Sequence, residues 1–104
     1  MITREVVASA LRFERKRLRS ALSRLRAHQR RHNGDRSLLK AARSRLARVE
    51  KALQRLAAGT YGICERCGSQ IPMGRLEAII DASLCLRCAE EQARVAGSRG
   101  TTGS

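Results

Sequence analysis

Cys64-x-x-Cys67 and Cys85-x-x-Cys88 are separated by 17 residues. Two CxxC pairs at that interval match the four-thiolate zinc pattern. Each CxxC turn sets two sulfurs on one side of the backbone, and two such turns facing each other complete a tetrahedron around Zn²⁺. Four thiolates leave no open coordination position for water, so the expected metal is structural and not catalytic. The loaded site carries two net negative charges. Arg66 and Arg87 occupy the same place in the two knuckles, CERC and CLRC, where they can offset that charge. Gly68 follows the first pair and can take the positive φ such knuckles favour. Disulfides do not suit a cytoplasmic chain. A thioredoxin-type centre needs one CxxC on a βαβ scaffold, and haem attachment needs a following His. An iron–sulfur cluster remains the alternative for the same sulfurs. No nucleophile–base pair, open metal site or phosphate loop stands out, so the expectation is a binding protein and not an enzyme.

The elements that position the cysteines follow from periodicity. Residues 4–32 hold good helix formers without Gly or Pro, with Val7, Leu11, Leu18, Leu22 and Leu25 on one stripe. Thr3 is a suitable N-cap, and Glu5 suits the first turn. Asn33-Gly34 supplies a stop, with Asp35 or Ser37 placed to cap the next helix. Leu39, Ala42, Leu46, Val49, Leu53 and Leu56 then repeat at 3-4-3-4-3 spacing, a coiled-coil seam closed by Gly59. Helices joined by so few residues run antiparallel, and the longer would extend about 44 Å. Glu14 and His28 fall near positions that should be apolar, which predicts looser packing toward the tip. A second stripe, Ile2, Val6 and Phe13, is expected to pack on a C-terminal helix in AEEQARVAG. Glu90 and Glu91 are read as that helix's first turn and Gly97 as its end.

The resulting fold class is all-α dominated: an antiparallel coiled-coil helical hairpin, then a small four-Cys zinc finger and a short C-terminal helix. The boundaries are residues 1–58 for the hairpin (tip 32–37), 59–97 for the zinc module with its helix, and 98–104 for a flexible tail. A monomer is expected.

Charge is partitioned as sharply as the cysteines. Residues 1–60 hold 17 Lys/Arg against 4 Asp/Glu, whereas residues 61–104 hold 5 of each sign. The net +13 therefore belongs to the hairpin, which implies a polyanion or an acidic protein surface as partner. Of the 22 basic residues 19 are Arg, the side chain suited to phosphate and carboxylate forks, although GC-rich coding gives the same bias. At the tip, Arg30, Arg31 and Arg36 crowd around Asp35, the sole carboxylate between Glu14 and Glu50. No apolar run approaches the roughly 20 residues of a membrane span, and the charged N-terminus is no signal peptide. The expected location is the cytoplasm.

The stretch LQRLAAGTYGICERCGSQIPMGRLEAIIDASLCLRCAEE resembles the zinc-finger signature of the DksA/TraR family. The likeness lies in the G-T-Y-G-x-C lead-in, C-x-x-C-G, Ile71-Pro72, R-L-E-A at 75–78 and the spacing to Cys85 and Cys88. The resemblance implies a bacterial regulator that binds RNA polymerase instead of promoter DNA. Its zinc module would dock at the rim of the secondary channel, and its coiled coil would reach toward the active site. Some members cooperate with ppGpp. The four cysteines match the family's zinc ligands one for one. Arg75, with Leu76 and Glu77, matches a segment that supports the zinc lobe. The tip departs from the family, which places acidic residues there; here arginines surround a single aspartate. The competing reading is a DNA- or RNA-binding protein, nucleoid- or ribosome-associated, that grips phosphates without reading bases through its Arg-rich hairpin.

Overall fold

Uninterrupted helix formers make α1 (Arg4–His32), 29 residues long, in the computed structural model. The backbone is described at 3–32 and 36–102, and side chains at 3–30 and 36–95. Thr3 caps α1 as its sequence position suggests: its carbonyl accepts from Val7 N–H at 3.0 Å and its hydroxyl from Val6 N–H at 3.3 Å. Helix α2 (Ser37–Ala58) ends at Gly59, whose φ of 81° lets its N–H turn back to the carbonyls of Arg55 and Leu56. The other end differs from expectation. Arg36 is the N-cap and supplies no side-chain hydrogen bond, because the helix begins at Ser37 and leaves that serine one position too late to cap. Asp35 lies outside the described residues.

The two helices pack antiparallel along the two seams. Val7, Leu11, Val49 and Ala52 form a continuous buried core, flanked by Leu18, Leu53 and Leu56. Burying each large aliphatic side chain is worth about 1.5–3 kcal/mol. Leu22 and Leu39 are also buried but stand apart from that core, toward the tip. A 2.8 Å ion pair between Arg19 and Glu50 clamps the helices from outside. Glu14, half-buried where an apolar residue was expected, pairs with Arg17 at 3.5 Å, and His28 is exposed.

After Gly59 the chain folds into a lobe with an isolated antiparallel bridge between Ile63 and Gln70. Two helices follow, α3 (Met73–Ala78) and α4 (Leu86–Thr102). Cys64, Ile71, Leu76 and Cys88 form its own small core. Tyr61 packs against both cores and Ile80 against the hairpin's, so the lobe docks on the Val7/Leu11 stripe.

Three expectations are corrected. The second stripe of α1 does not pack on α4: Val6 and Phe13 are 54% and 66% exposed, because the lobe meets the hairpin through Tyr61 and Ile80; Ile2 lies outside the described residues. Helix α4 starts at Leu86, so Glu90 and Glu91 fall beyond its first turn, which holds no acid. It also runs past Gly97, read as its end, to Thr102. A glycine costs a helix only about 1 kcal/mol and does not by itself stop one. Among the described residues no helix is long and apolar enough to cross a membrane.

Candidate metal centre

The first knuckle is a tight hairpin. Cys64 N–H donates to Ser69 O at 2.8 Å, and Gly68, with φ of 78°, returns its N–H to Cys64 O at 2.9 Å. The second knuckle is the start of a helix: Cys85 immediately precedes α4, Cys88 lies in its first turn, and Ala89 N–H donates to Cys85 O at 2.9 Å. Here the thiolates occupy the place by the helix N-terminus where an acid was expected, and the positive end of the dipole favours their charge. Glu65 N–H donates to Ser83 O at 2.9 Å, tying the two knuckles together.

This convergence sets all four sulfurs within 4.8 Å of one another, with Cys67 and Cys85 Sγ 3.8 Å apart. A tetrahedron with Zn–S bonds of about 2.3 Å has edges of about 3.8 Å. The donor set therefore fits a closed zinc site. Bound there, Zn²⁺ would supply cross-linking and charge neutralisation.

The sulfurs are electrostatically unequal. Burial opposes ionisation of Cys64, but N–H groups of Cys85, Cys67 and Arg66 aimed at its sulfur outweigh that and lower its pKa to about 6. Cys67 is also lowered, chiefly by the Ser69 hydroxyl. Cys88 is pushed up to about 12, first by its hydrogen bond to Cys85 and then by burial. Metal binding releases the protons that these thiols still hold.

The supporting residues read from sequence take different places. Arg75 donates Nε–H to Leu84 O at 2.9 Å, bracing the approach to the second knuckle. Arg66 reaches Cys88 O at 3.5 Å and pairs with Glu91 at 3.7 Å. Gly68 makes the turn described above. Arg87 is exposed and makes no hydrogen bond or ion pair among the described residues.

Sequence reasoning missed the joint between lobe and hairpin. Asp81 is 5% exposed and meets two α2 arginines: Arg48 Nε donates to its Oδ2 at 3.3 Å, and Arg45 Nε lies 3.4 Å away without hydrogen-bond alignment. Tyr61 OH donates to Ile80 O at 2.8 Å, and burial followed by the Asp81 charge raises the phenol's pKa. The largely buried Arg55 donates to Ile63 O, Thr60 O and Ser83 O, and pairs with Glu65 at 3.7 Å. Lys51 adds a 3.3 Å pair to the same Glu65. The signal available in the sequence was Asp81 itself, a lone acid inside the apolar run AIIDASL.

At the other end of the hairpin, Arg30 and Arg36 line one groove. The side chains of Arg31 and Asp35, the other two tip residues singled out from sequence, lie outside the described residues.

Residues 59–94 match the family model of the prokaryotic dksA/traR C4-type zinc finger. This segment is similar to the DksA/TraR zinc finger. Cys64, Cys67, Cys85 and Cys88 all fall within it and form its C4 metal site. Among curated relatives, an uncharacterized protein of Aquifex aeolicus is 49% identical over 53 residues, covering 51% of this chain and 37% of the relative. The RNA polymerase-binding transcription factor DksA of Escherichia coli is 39% identical over 46 residues, 44% of this chain and 30% of its own. The chain thus spans well under half the length of the curated relatives it matches. Beyond the finger, the likeness is one of fold. The structure of transcription factor DksA2 from Pseudomonas aeruginosa superposes with a TM-score of 0.73 at 24% identity, over 89% of this chain and 84% of that one. That likeness of fold extends over hairpin and finger alike.

Proposed function

We propose that this protein is a DksA/TraR-type regulator that binds RNA polymerase near its secondary channel, acting as a binding protein without catalysis of its own. The reading rests on one observation above others: a segment matching the DksA/TraR finger, packed against an antiparallel hairpin, in a fold like that of DksA2. The name of the Escherichia coli relative, an RNA polymerase-binding factor, points the same way. Residues 59–97 act as the docking module and residues 1–58 as the arm. The joint at Asp81, Tyr61 and Arg55 fixes the angle at which the arm leaves the module, so docking energy in one part orients the other. The arm's cations, unlike the acidic tips of the family, suit the carboxylates or nucleotide phosphates near a polymerase active site.

The test is retention of the zinc-loaded chain by purified core polymerase, without DNA and after nuclease treatment, during gel filtration at modest salt. Co-elution that is lost on stripping the metal supports the proposal. If core enzyme does not retain the protein, the reading fails.

A further inference from the structure

Near the tip, five cations from both helices surround one open groove: Arg26 and Arg30 on α1, and Arg36, Lys40 and Arg43 at the start of α2 and along its first turns, above the buried Leu39. All five are exposed, and none has an ion-pair partner among the described residues. Elsewhere on the arm, Arg17 and Arg19 do have acidic partners, Glu14 and Glu50. A second source of positive potential adds to it. Arg36 at the N-cap of α2 makes no side-chain cap bond and the first turn holds no acid, and the positive end of that helix's dipole lies at the same end of the hairpin. Like charges gathered this closely repel one another, and an anion relieves that cost.

We infer that this groove binds the phosphate backbone of a nucleic acid strand, independently of any polymerase docking. Arg26 and Arg30 stand one helical turn apart, about 6 Å along the axis, a spacing comparable to that of neighbouring phosphates on a strand. Arg36, Lys40 and Arg43 follow one another in the same way along the facing helix. A line of cations suits an extended polyanion better than a compact acid. No aromatic side chain lies in the groove, so bases are not stacked and binding is indifferent to sequence.

The experiment is fluorescence anisotropy with the full zinc-loaded chain and a labelled mixed-sequence oligonucleotide, single-stranded and duplex, across a salt series. With five phosphate contacts, affinity falls about 500-fold for duplex and about 130-fold for single strand between about 50 and 200 mM salt. A groove variant, Arg30→Gln/Lys40→Gln/Arg43→Gln, weakens binding at least about tenfold and flattens the salt slope by about 3. A control, Arg4→Gln/Arg12→Gln/Lys16→Gln, removes the same charge from exposed positions remote from the groove. It keeps the affinity within about threefold, and zinc content with circular dichroism confirms that both variants fold. Equal losses in the two variants overturn the proposal, as does an absence of binding at about 50 mM salt. Displacement by tripolyphosphate at concentrations matching the strand itself also overturns it, reassigning the groove to free polyphosphates.

Discussion

Tyr61 is the most informative single residue, because it is the only tyrosine and the chain has no tryptophan. Its phenol is held protonated by burial, by the Asp81 charge and by donation to Ile80 O. A raised phenol pKa contributes stability that is fully present below about pH 10 and lost as pH rises through the folded value. Ultraviolet titration of the phenolate band is therefore expected to give a midpoint above that of free tyrosine; a midpoint at or below it would contradict the packing. Replacing Asp81 with Ala removes the carboxylate from two arginines that are themselves half exposed and can return to water. The expected loss is about 1–3 kcal/mol, read by urea unfolding. The same variant is expected to lower the Tyr61 midpoint, a coupling that a merely destabilising change elsewhere would not produce.

At the scale of elements, the turns carry the chemistry. Gly59 and Gly68 both have positive φ, and a Cβ added to either meets nothing within 4 Å. Any cost of Gly→Ala there is backbone strain, of order 1–2 kcal/mol. Gly59→Ala is expected to lower the melting temperature while zinc stoichiometry stays unchanged. Gly68→Ala strains the knuckle that presents Cys64 and Cys67, so its loss is expected as weaker zinc retention against a chelator. Much of this level was legible in the sequence. Thr3, Gly59, Gly68 and both helical seams do what their spacing implied, since caps and amphipathic stripes are set within a few residues. The start of α4 was not legible, because a thiolate pair can take the acid's place at a helix N-terminus, a substitution invisible to rules written for Asp and Glu.

For the whole molecule, the metal and the charge set opposite demands. Four sulfurs within 4.8 Å cannot all ionise without a cation among them. Chelation is expected to release one zinc per chain and expose four reactive thiols, with partial loss of helical ellipticity as the lobe opens and the hairpin core remains. Acidification is expected to do the same, because protons compete for the thiolates; a metal content that persists into strong acid would argue against thiolate ligation. The hairpin, with 17 basic and 4 acidic residues in the first 60, repels itself. Its melting temperature is expected to rise with salt from about 0.05 to 0.5 M as screening shortens to a few ångströms.

Residue order along the chain specified the ligand set, the hairpin and the placement of charge. Each depends on spacing that covalent geometry and helical periodicity impose on near neighbours. How the zinc lobe sits on the arm emerged from the three-dimensional packing. Asp81 meets Arg48 across 33 residues, and Tyr61 meets Ile80 across 19. The same folding left Phe13 in solvent and brought Arg26, Arg30, Arg36, Lys40 and Arg43 around one groove. Contacts of that kind depend on the angle between packed elements. That angle is fixed by side chains meeting in three dimensions, and no periodicity along the chain encodes it.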